Sequence, residues 1–262
     1  MNYKYKLGFI GCGNMAKAII NGLLSSKLLN ETDMFISTPS IKEKYRGIEI
    51  SNNNSDVMTS CEYLILAVKP QIFRSIIQEF KNNASKCIIS IMAGVSCKTI
   101  SEATNCNEIV RIMPNTPCSI GEGVSAITSY RASDASVSFV KSIFNTISKT
   151  VFIDEQYFDA VTSISGSGPA YVYYFIKAMI DGGVNGGLTY EQSKSLAINT
   201  FIGASKMVEQ STDNIEDLIQ KVCSKGGTTI QAIDTFNKNN VAAAISQGID
   251  NCRKRSEELS KL

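Results

Sequence analysis

The sequence predicts an α/β protein: an N-terminal Rossmann-like domain with a doubly wound, mostly parallel sheet, followed by an all-α C-terminal dimerisation domain. Three observations predict this. The stretch Leu7 to Gly22 reads as strand, glycine turn and helix. Short apolar runs then alternate with helical patterns as far as Phe152, the arrangement of a parallel sheet with crossover helices. After Asp154 the strand patterns stop and helical periodicity continues to the end. The expected domains are residues 1–155, binding a dinucleotide, and 156–262, helical.

The opening unit carries the first functional signal. The apolar run Leu7 to Ile10 meets Gly11 and Gly13, and Met15, Ala16, Ile19, Ile20 and Leu23 then follow helical spacing. Gly11 allows a sharp turn, Gly13 lets the backbone approach a pyrophosphate, and Ala16 is small enough for close helix–strand packing. The helix start adds free N–H groups and a positive dipole end. Glycine pairs are common in turns; the strand before, the helix after and the N-terminal position give this one its weight.

Further strands are expected at Met34–Ser37, Glu49–Ser51, Tyr63–Val68, Cys87–Ile91, Ile109–Met113, Gly123–Thr128 and Thr150–Phe152, after a first at Lys6–Ile10. Helices are expected near Asn14–Ser25, Ile41–Tyr45, Asn54–Cys61, Gln71–Phe80, Cys97–Thr104 and Ala132–Ile147. Ligands of such sheets sit at the carboxyl ends of the strands. The second strand ends in Ser37-Thr38-Pro39-Ser40, where an NAD site would carry Asp or Glu. Hydroxyls there, with Lys42, Lys44 and Arg46 following, favour NADP(H); a solvated turn before a basic helix is the plainer alternative. The fourth strand ends in Ala67-Val68-Lys69-Pro70. The fifth leads to Met92-Ala93-Gly94, small enough for a ring to lie against the backbone. The sixth ends in Met113-Pro114-Asn115-Thr116-Pro117, a stiff polar loop of the kind that carries function, or simply a turn.

In the second half, helices are expected at Asp159–Ile164, Pro169–Gly182, Tyr190–Gln210, Ile215–Val222, Thr228–Asn237 and Val241–Leu259. Ser165-Gly166-Ser167-Gly168-Pro169 should break one helix and start the next, with Pro169 in its first turn. The run Ala170 to Ile176 is apolar nearly all round, so it is buried against something. A partner subunit is expected; a central core helix is the alternative. Gly226-Gly227-Thr228-Thr229, ahead of a helix, forms either an anion nest or a helix–helix turn capped by Thr.

Composition narrows the chemistry. At 262 residues the chain holds about two domains, and its formal charge of +2 implies no polyelectrolyte partner. No apolar stretch reaches the roughly 18 residues of a membrane helix. The start, Met1-Asn2-Tyr3-Lys4, leaves no room for a leader, so a cytoplasmic enzyme is expected, without nucleic-acid or membrane partners. The eight cysteines include no C-x-x-C pair and suggest neither a metal site nor a disulfide framework. The absence of histidine excludes Ser–His and Cys–His nucleophiles and histidine acid/base catalysis. A cofactor that brings its own reactivity suits such a chain.

Five stretches together give a resemblance: G-F-I-G-C-G-N-M-A at Gly8–Ala16, A-V-K-P at Ala67–Pro70, R-I-M-P-N-T-P at Arg111–Pro117, S-G-S-G-P-A-Y at Ser165–Tyr171 and G-G-T-T at Gly226–Thr229. The chain resembles the pyrroline-5-carboxylate reductases over nearly its whole length. The resemblance implies reduction of Δ1-pyrroline-5-carboxylate to L-proline, the final step of proline biosynthesis, with NADPH or alternatively NADH. It implies a homodimer with interlocked helical domains, and assembly of five dimers into a decamer. Cofactor contacts would fall on Ile10, Gly11, Cys12, Gly13, Asn14, Met15, Thr38, Asn54, Ala67, Val68, Lys69, Pro70, Met92 and Ala93. Substrate contacts would fall on Ser224, Gly227, Thr228 and Thr229, with the Thr229 hydroxyl as the catalytic group at the ring nitrogen. Three positions depart from the family pattern. Lys225 stands where Pro is usual, Cys223 where Ser or Thr is usual, and Lys221 where other polar residues are found. Alternatives of other kinds are a reductase of a different cyclic imine and a non-catalytic NADP(H) sensor.

Overall fold

The computed structural model describes residues 3–41 and 43–260; Met1, Asn2 and Lys42, counted in the expectations above, lie outside them. The chain forms two compact units. The first runs as far as Ser167 and regains the chain from Cys252; the second is Gly168–Asn251.

The first unit is built on one eight-stranded sheet in the order β3-β2-β1-β4-β5-β6-β7-β8. Its strands are β1 (Tyr5–Ile10), β2 (Met34–Ser37), β3 (Glu49–Ser51), β4 (Cys61–Leu66), β5 (Cys87–Ser90), β6 (Glu108–Pro114), β7 (Gly123–Tyr130) and β8 (Ser148–Phe152). All pairings are parallel except β6 with β7. β2 and β5 are buried at every residue, the pattern of strands covered on both faces. The helices are α1 (Asn14–Ser26), α2 (Asn54–Ser60), α3 (Pro70–Ile76), α4 (Cys97–Thr104), α5 (Asp134–Phe144) and the short α6 (Phe158–Val161).

Two cores form, one on each face of the sheet. Phe9, Ile19, Leu23, Val110 and Phe144 belong to one, under α1 and α5. Leu64, Phe73, Ile88, Ile100 and Ile109 belong to the other, under α2, α3 and α4. Alternate residues of β6 serve opposite faces, as strand geometry requires. The strand order turns back between β1 and β4, which places the ligand crevice outside their carboxyl ends.

The second unit holds α7 (Gly168–Asn185), α8 (Tyr190–Gln210), α9 (Ile215–Val222), α10 (Thr228–Lys238) and most of α11 (Val241–Ser260). Its boundary in space lies twelve residues later than the expected change at 155/156. Phe158 and Val161 pack with Ala126 of β7, so the first helical turns after the sheet share its core.

Some local expectations fail. Among the described residues of Ile41–Tyr45 no helix forms. Tyr45 and Ile48 instead exchange backbone hydrogen bonds at 3.3 and 3.0 Å, around Arg46 and Gly47 with φ of 51° and 87°. A two-residue turn with both φ positive closes a hairpin, and its backbone pairing takes Tyr45 out of any helix. The expected helix Gln71–Phe80 is α3 followed by a tighter 3-10 stretch, Ile77–Asn82. The expected Asp159–Ile164 helix widens into a π turn over Thr162–Gly166, closed by the Ser167 N–H on the Thr162 carbonyl at 2.8 Å.

Candidate active site

At the end of β1 the chain turns at Gly11, with φ of 96°. Its N–H donates to the Ser37 carbonyl at 2.8 Å, and a Cβ there would stand 2.6 Å from the Ala67 carbonyl oxygen. Gly11 is therefore required twice, by dihedral and by space. Gly13 differs. It is the N-cap of α1 in extended geometry, with no side-chain cap, and a Cβ would meet nothing within 4 Å. The protein itself does not need the space above Gly13. The first N–H groups of α1 stay unpaired by any cap, which suits a pyrophosphate.

The other expected cofactor residues surround this turn. Ala67 is tied to it by its N–H on the Ile10 carbonyl at 2.9 Å. Lys69 caps α3 and Pro70 opens it. Ile10, Cys12 and Met92 have buried side chains within the two cores, so only their backbones face the crevice. Burial pushes the Cys12 thiol above its ordinary pKa, with Lys17 opposing. Gly13, Asn14 and Ala93 are exposed.

After β2, the Thr38 N–H donates to the Ser51 carbonyl at 3.0 Å, and its hydroxyl accepts from the Ser40 N–H at 3.3 Å. Ser37 Oγ donates to Asn54 Oδ1 at 2.6 Å, and Asn54 Nδ2 donates to Glu79 at 2.8 Å. The Asn54 amide thus has both ends engaged. No carboxylate replaces the hydroxyls directly after β2. Of the basic residues counted there, Arg46 is turned onto Asn21 at 2.8 Å.

The Pro114–Pro117 stretch is a brace rather than an open loop. Pro114 still pairs with Ser125, Asn115 Oδ1 accepts from the Val124 N–H at 3.0 Å, and Thr116–Ile120 form a 3-10 turn.

In the second unit, Gly226 has φ of 74° and Gly227 is the N-cap of α10, again extended and without a side-chain cap. The Gly227 N–H closes the turn on the Ser224 carbonyl at 3.0 Å. Thr228 is the first helical residue, so the Thr-capped turn is not what forms. By contrast, Asn53, Ser96, Ser133, Thr189 and Asn214 each cap their helices with a side-chain oxygen. The glycine caps of α1 and α10 are the two places where a sequence signal for an anion and an uncapped helix start coincide. Lys221 points away to Asp213, at 2.5 Å; that hydrogen bond holds the Asp213 carboxyl below its usual pKa.

One feature had only a faint sequence signal. Arg111, within the apolar run of β6, is buried and pairs with Glu155 at 3.0 Å. Both line a cavity of about 500 Å³ with Phe73, Val95 and Phe158. An arginine inside a buried strand is unusual unless paired; nothing in the sequence marks Glu155.

The comparisons with known proteins agree with this architecture. Residues 155–259 match a family model described as pyrroline-5-carboxylate reductase dimerisation, and residues 6–94 match NADP oxidoreductase, coenzyme F420-dependent. The chain is 34% identical to a pyrroline-5-carboxylate reductase of Arabidopsis thaliana, covering 98% of this chain and 96% of that one. It is 33% identical to one of Escherichia coli strain K12, with 98% of each chain covered. It belongs to the pyrroline-5-carboxylate reductase family. Among solved structures, the Plasmodium falciparum pyrroline carboxylate reductase with NADP bound has a TM-score of 0.90 and 32% identity, covering 99% of this chain and 100% of that one. The Rossmann-type α/β domain followed by helices is thus the fold of this reductase family, as the sequence predicts.

Proposed function

We propose that this pyrroline-5-carboxylate reductase family member reduces Δ1-pyrroline-5-carboxylate to L-proline with NADPH, the last step of proline biosynthesis. The observation that carries this is the pair of glycine-capped helix starts, α1 and α10, on a chain of this family. The residues present fit NADP: the room above Gly13 is a cradle that a Cβ would partly fill. The turn set by Gly11, whose own N–H is held by Ser37, would leave backbone N–H groups from Cys12 to Met15 to hold the pyrophosphate. Thr38 lies on the ribose side and Asn54 supports it through Ser37. Ala67 to Pro70 wall the crevice, and the backbones of Met92 and Ala93 flank the nicotinamide. The hydroxyls after β2 leave room for a 2′-phosphate, with NADH as the alternative donor.

When bound, the nicotinamide supplies a hydride, two electrons and one hydrogen nucleus, to the imine carbon. The N–H groups of Thr228 and Thr229, at the start of α10, would hold the substrate carboxylate, with Ser224 beside them and Gly227, whose own N–H closes the turn on Ser224, shaping the approach. The Thr229 hydroxyl hydrogen-bonds the ring nitrogen, accepting from it while the imine is protonated and orienting the amine it becomes. A protonated imine is already electrophilic, so the chain supplies mainly positioning. That requirement is compatible with a sequence that lacks histidine. Lys225 adds a charge beside the carboxylate site.

The assembly is a homodimer, and we extend this to a decamer of five dimers working in the cytoplasm. Sedimentation distinguishes the two sizes. The activity is tested by following absorbance near 340 nm with pyrroline-5-carboxylate and each nicotinamide cofactor. Oxidation of NADPH with formation of proline is expected. Cofactor binding without turnover indicates a sensor instead, and turnover confined to other cyclic imines moves the substrate assignment.

A further inference from the structure

One oxygen of Glu155 joins two separated elements of the first unit. Glu155 Oε1 accepts from the backbone N–H of Cys97 at 2.7 Å and from Arg111 Nη1 at 3.0 Å. Cys97 is the first residue of α4, so its N–H has no partner within the helix. The carboxylate also sits at the positive end of the helix. Arg111 stands on β6 opposite Ser90, the last residue of β5, and its guanidinium lies 4.6 Å from the centre of the Phe158 ring. Arg111 Nε is buried with no hydrogen-bond partner among the described residues.

The segment between these anchors is Ile91 to Ser96, whose Met92 and Ala93 flank the nicotinamide in the function proposed above. At its start, the Met92 N–H reaches Ser90 Oγ only at 3.3 Å. In its middle, Gly94 takes φ of 71°, and a Cβ there would lie 3.3 Å from Ser260. Ser260 and Ser256 are in turn hydrogen-bonded to Asp159 at 3.3 and 2.6 Å. The charged hydrogen bond that the Cys97 N–H donates to Glu155 closes the segment at its other end and is shorter than the one from Met92 to Ser90. Charge-assisted bonds of this kind are roughly twice as strong as neutral ones.

We propose that Glu155, oriented by Arg111, is a positioning residue for hydride transfer: it fixes the start of α4 and thereby the 92–96 turn against which the nicotinamide rests. Neither side chain touches a reacting atom. This role rests on the reductase function proposed above, and its test includes a readout that does not.

The test compares Glu155→Ala and Glu155→Gln with the native enzyme. Glu155→Ala should lower kcat by about 10- to 100-fold, the scale of a small misplacement of reacting groups, while KM for NADPH stays within roughly threefold because the pyrophosphate site is untouched. The deuterium isotope effect on kcat, from NADPH labelled at the transferred position, should rise. Glu155→Gln keeps an acceptor for the Cys97 N–H and should recover most of the lost rate. Without cofactor, hydrogen exchange over 92–99 should quicken in Glu155→Ala and stay unchanged over β1 and α1. Native-like kcat and exchange in Glu155→Ala overturn the proposal. So does a lower kcat with an unchanged isotope effect, or Glu155→Gln as impaired as Glu155→Ala. If the native enzyme fails to turn over pyrroline-5-carboxylate, the function is wrong, and the exchange comparison alone decides whether Glu155 holds the turn.

Discussion

Gly11 and Gly13 sit two residues apart yet answer different physical demands. At Gly11, φ of 96° and the Ala67 carbonyl 2.6 Å from a would-be Cβ make any side chain costly to the fold itself. Gly11→Ala should destabilise by about 1–3 kcal/mol and abolish NADPH binding, read by urea denaturation and cofactor fluorescence. Gly13→Ala meets nothing in the protein. It should cost under about 1 kcal/mol of stability yet weaken NADPH by at least about tenfold, or about 1.4 kcal/mol. The same logic applies at α10: Thr229→Ala should lower turnover while NADPH binding survives, and full activity in that variant removes Thr229 from the mechanism.

The thiols give a pH dependence. Burial pushes Cys61 and Cys97 up to about 12, against about 8.5 in an unfolded chain. The folded values are raised, so these groups add stability below about pH 8.5 that is lost as pH rises towards the folded pKa. Urea midpoints should therefore fall above about pH 8.5, and less steeply in Cys61→Ala. At pH 8 only on the order of one in 10⁴ of each native thiol is ionised, so a thiol reagent should label Cys61 and Cys97 no faster than the protein unfolds.

Among elements, α7 shows the sharpest contrast between sequence pattern and burial. It is apolar along Ala170 to Ile176, yet Ile180 is its only buried residue, and Tyr173 and Tyr174 are 62% and 73% exposed. In the second unit Ile180 and Ala197 are the buried apolar residues of the single chain. An apolar cavity of about 920 Å³ opens among Tyr171, Phe175, Phe201, Phe236 and Ile245. Such a unit lacks a core of its own and is completed by a partner. Tyr174→Glu changes a side chain the isolated chain leaves in water, so it should spare the sheet unit's far-ultraviolet signature. It should still reduce the mass in sedimentation to that of one chain, and reduce activity with it. A variant that remains dimeric refutes this use of α7.

The behaviour of the whole molecule follows from those two dependencies, on a partner and on a cofactor. Both bind the folded state, so melting temperature should rise with protein concentration and with NADPH, which adds about 2.7 kcal/mol of stability at a hundredfold excess over Kd. A calorimetric series in each variable checks this, and a melting point indifferent to concentration argues against an obligate dimer.

Much of this architecture was legible in the residues. Strands such as Met34–Ser37 and helices such as Tyr190–Gln210 follow directly from periodicity, because burial on one face or both leaves a repeating apolar mark. The two glycine turns were visible as well, although glycine is common in turns and what marked them was their place directly ahead of a helix. Non-local contacts left no such mark. Nothing local shows that Ile41–Tyr45 yields to a hairpin, that Asn115 is consumed in bracing β7, or that Phe158 joins the sheet's core. Nor does anything near Glu155 announce Arg111 or the Cys97 N–H. The order of apolar and polar residues determined which segments become strands and helices. Only the folded chain decided which polar groups were spent on each other, because a hydrogen bond between residues 44 or 58 positions apart depends on strand order and packing, which local pattern does not encode.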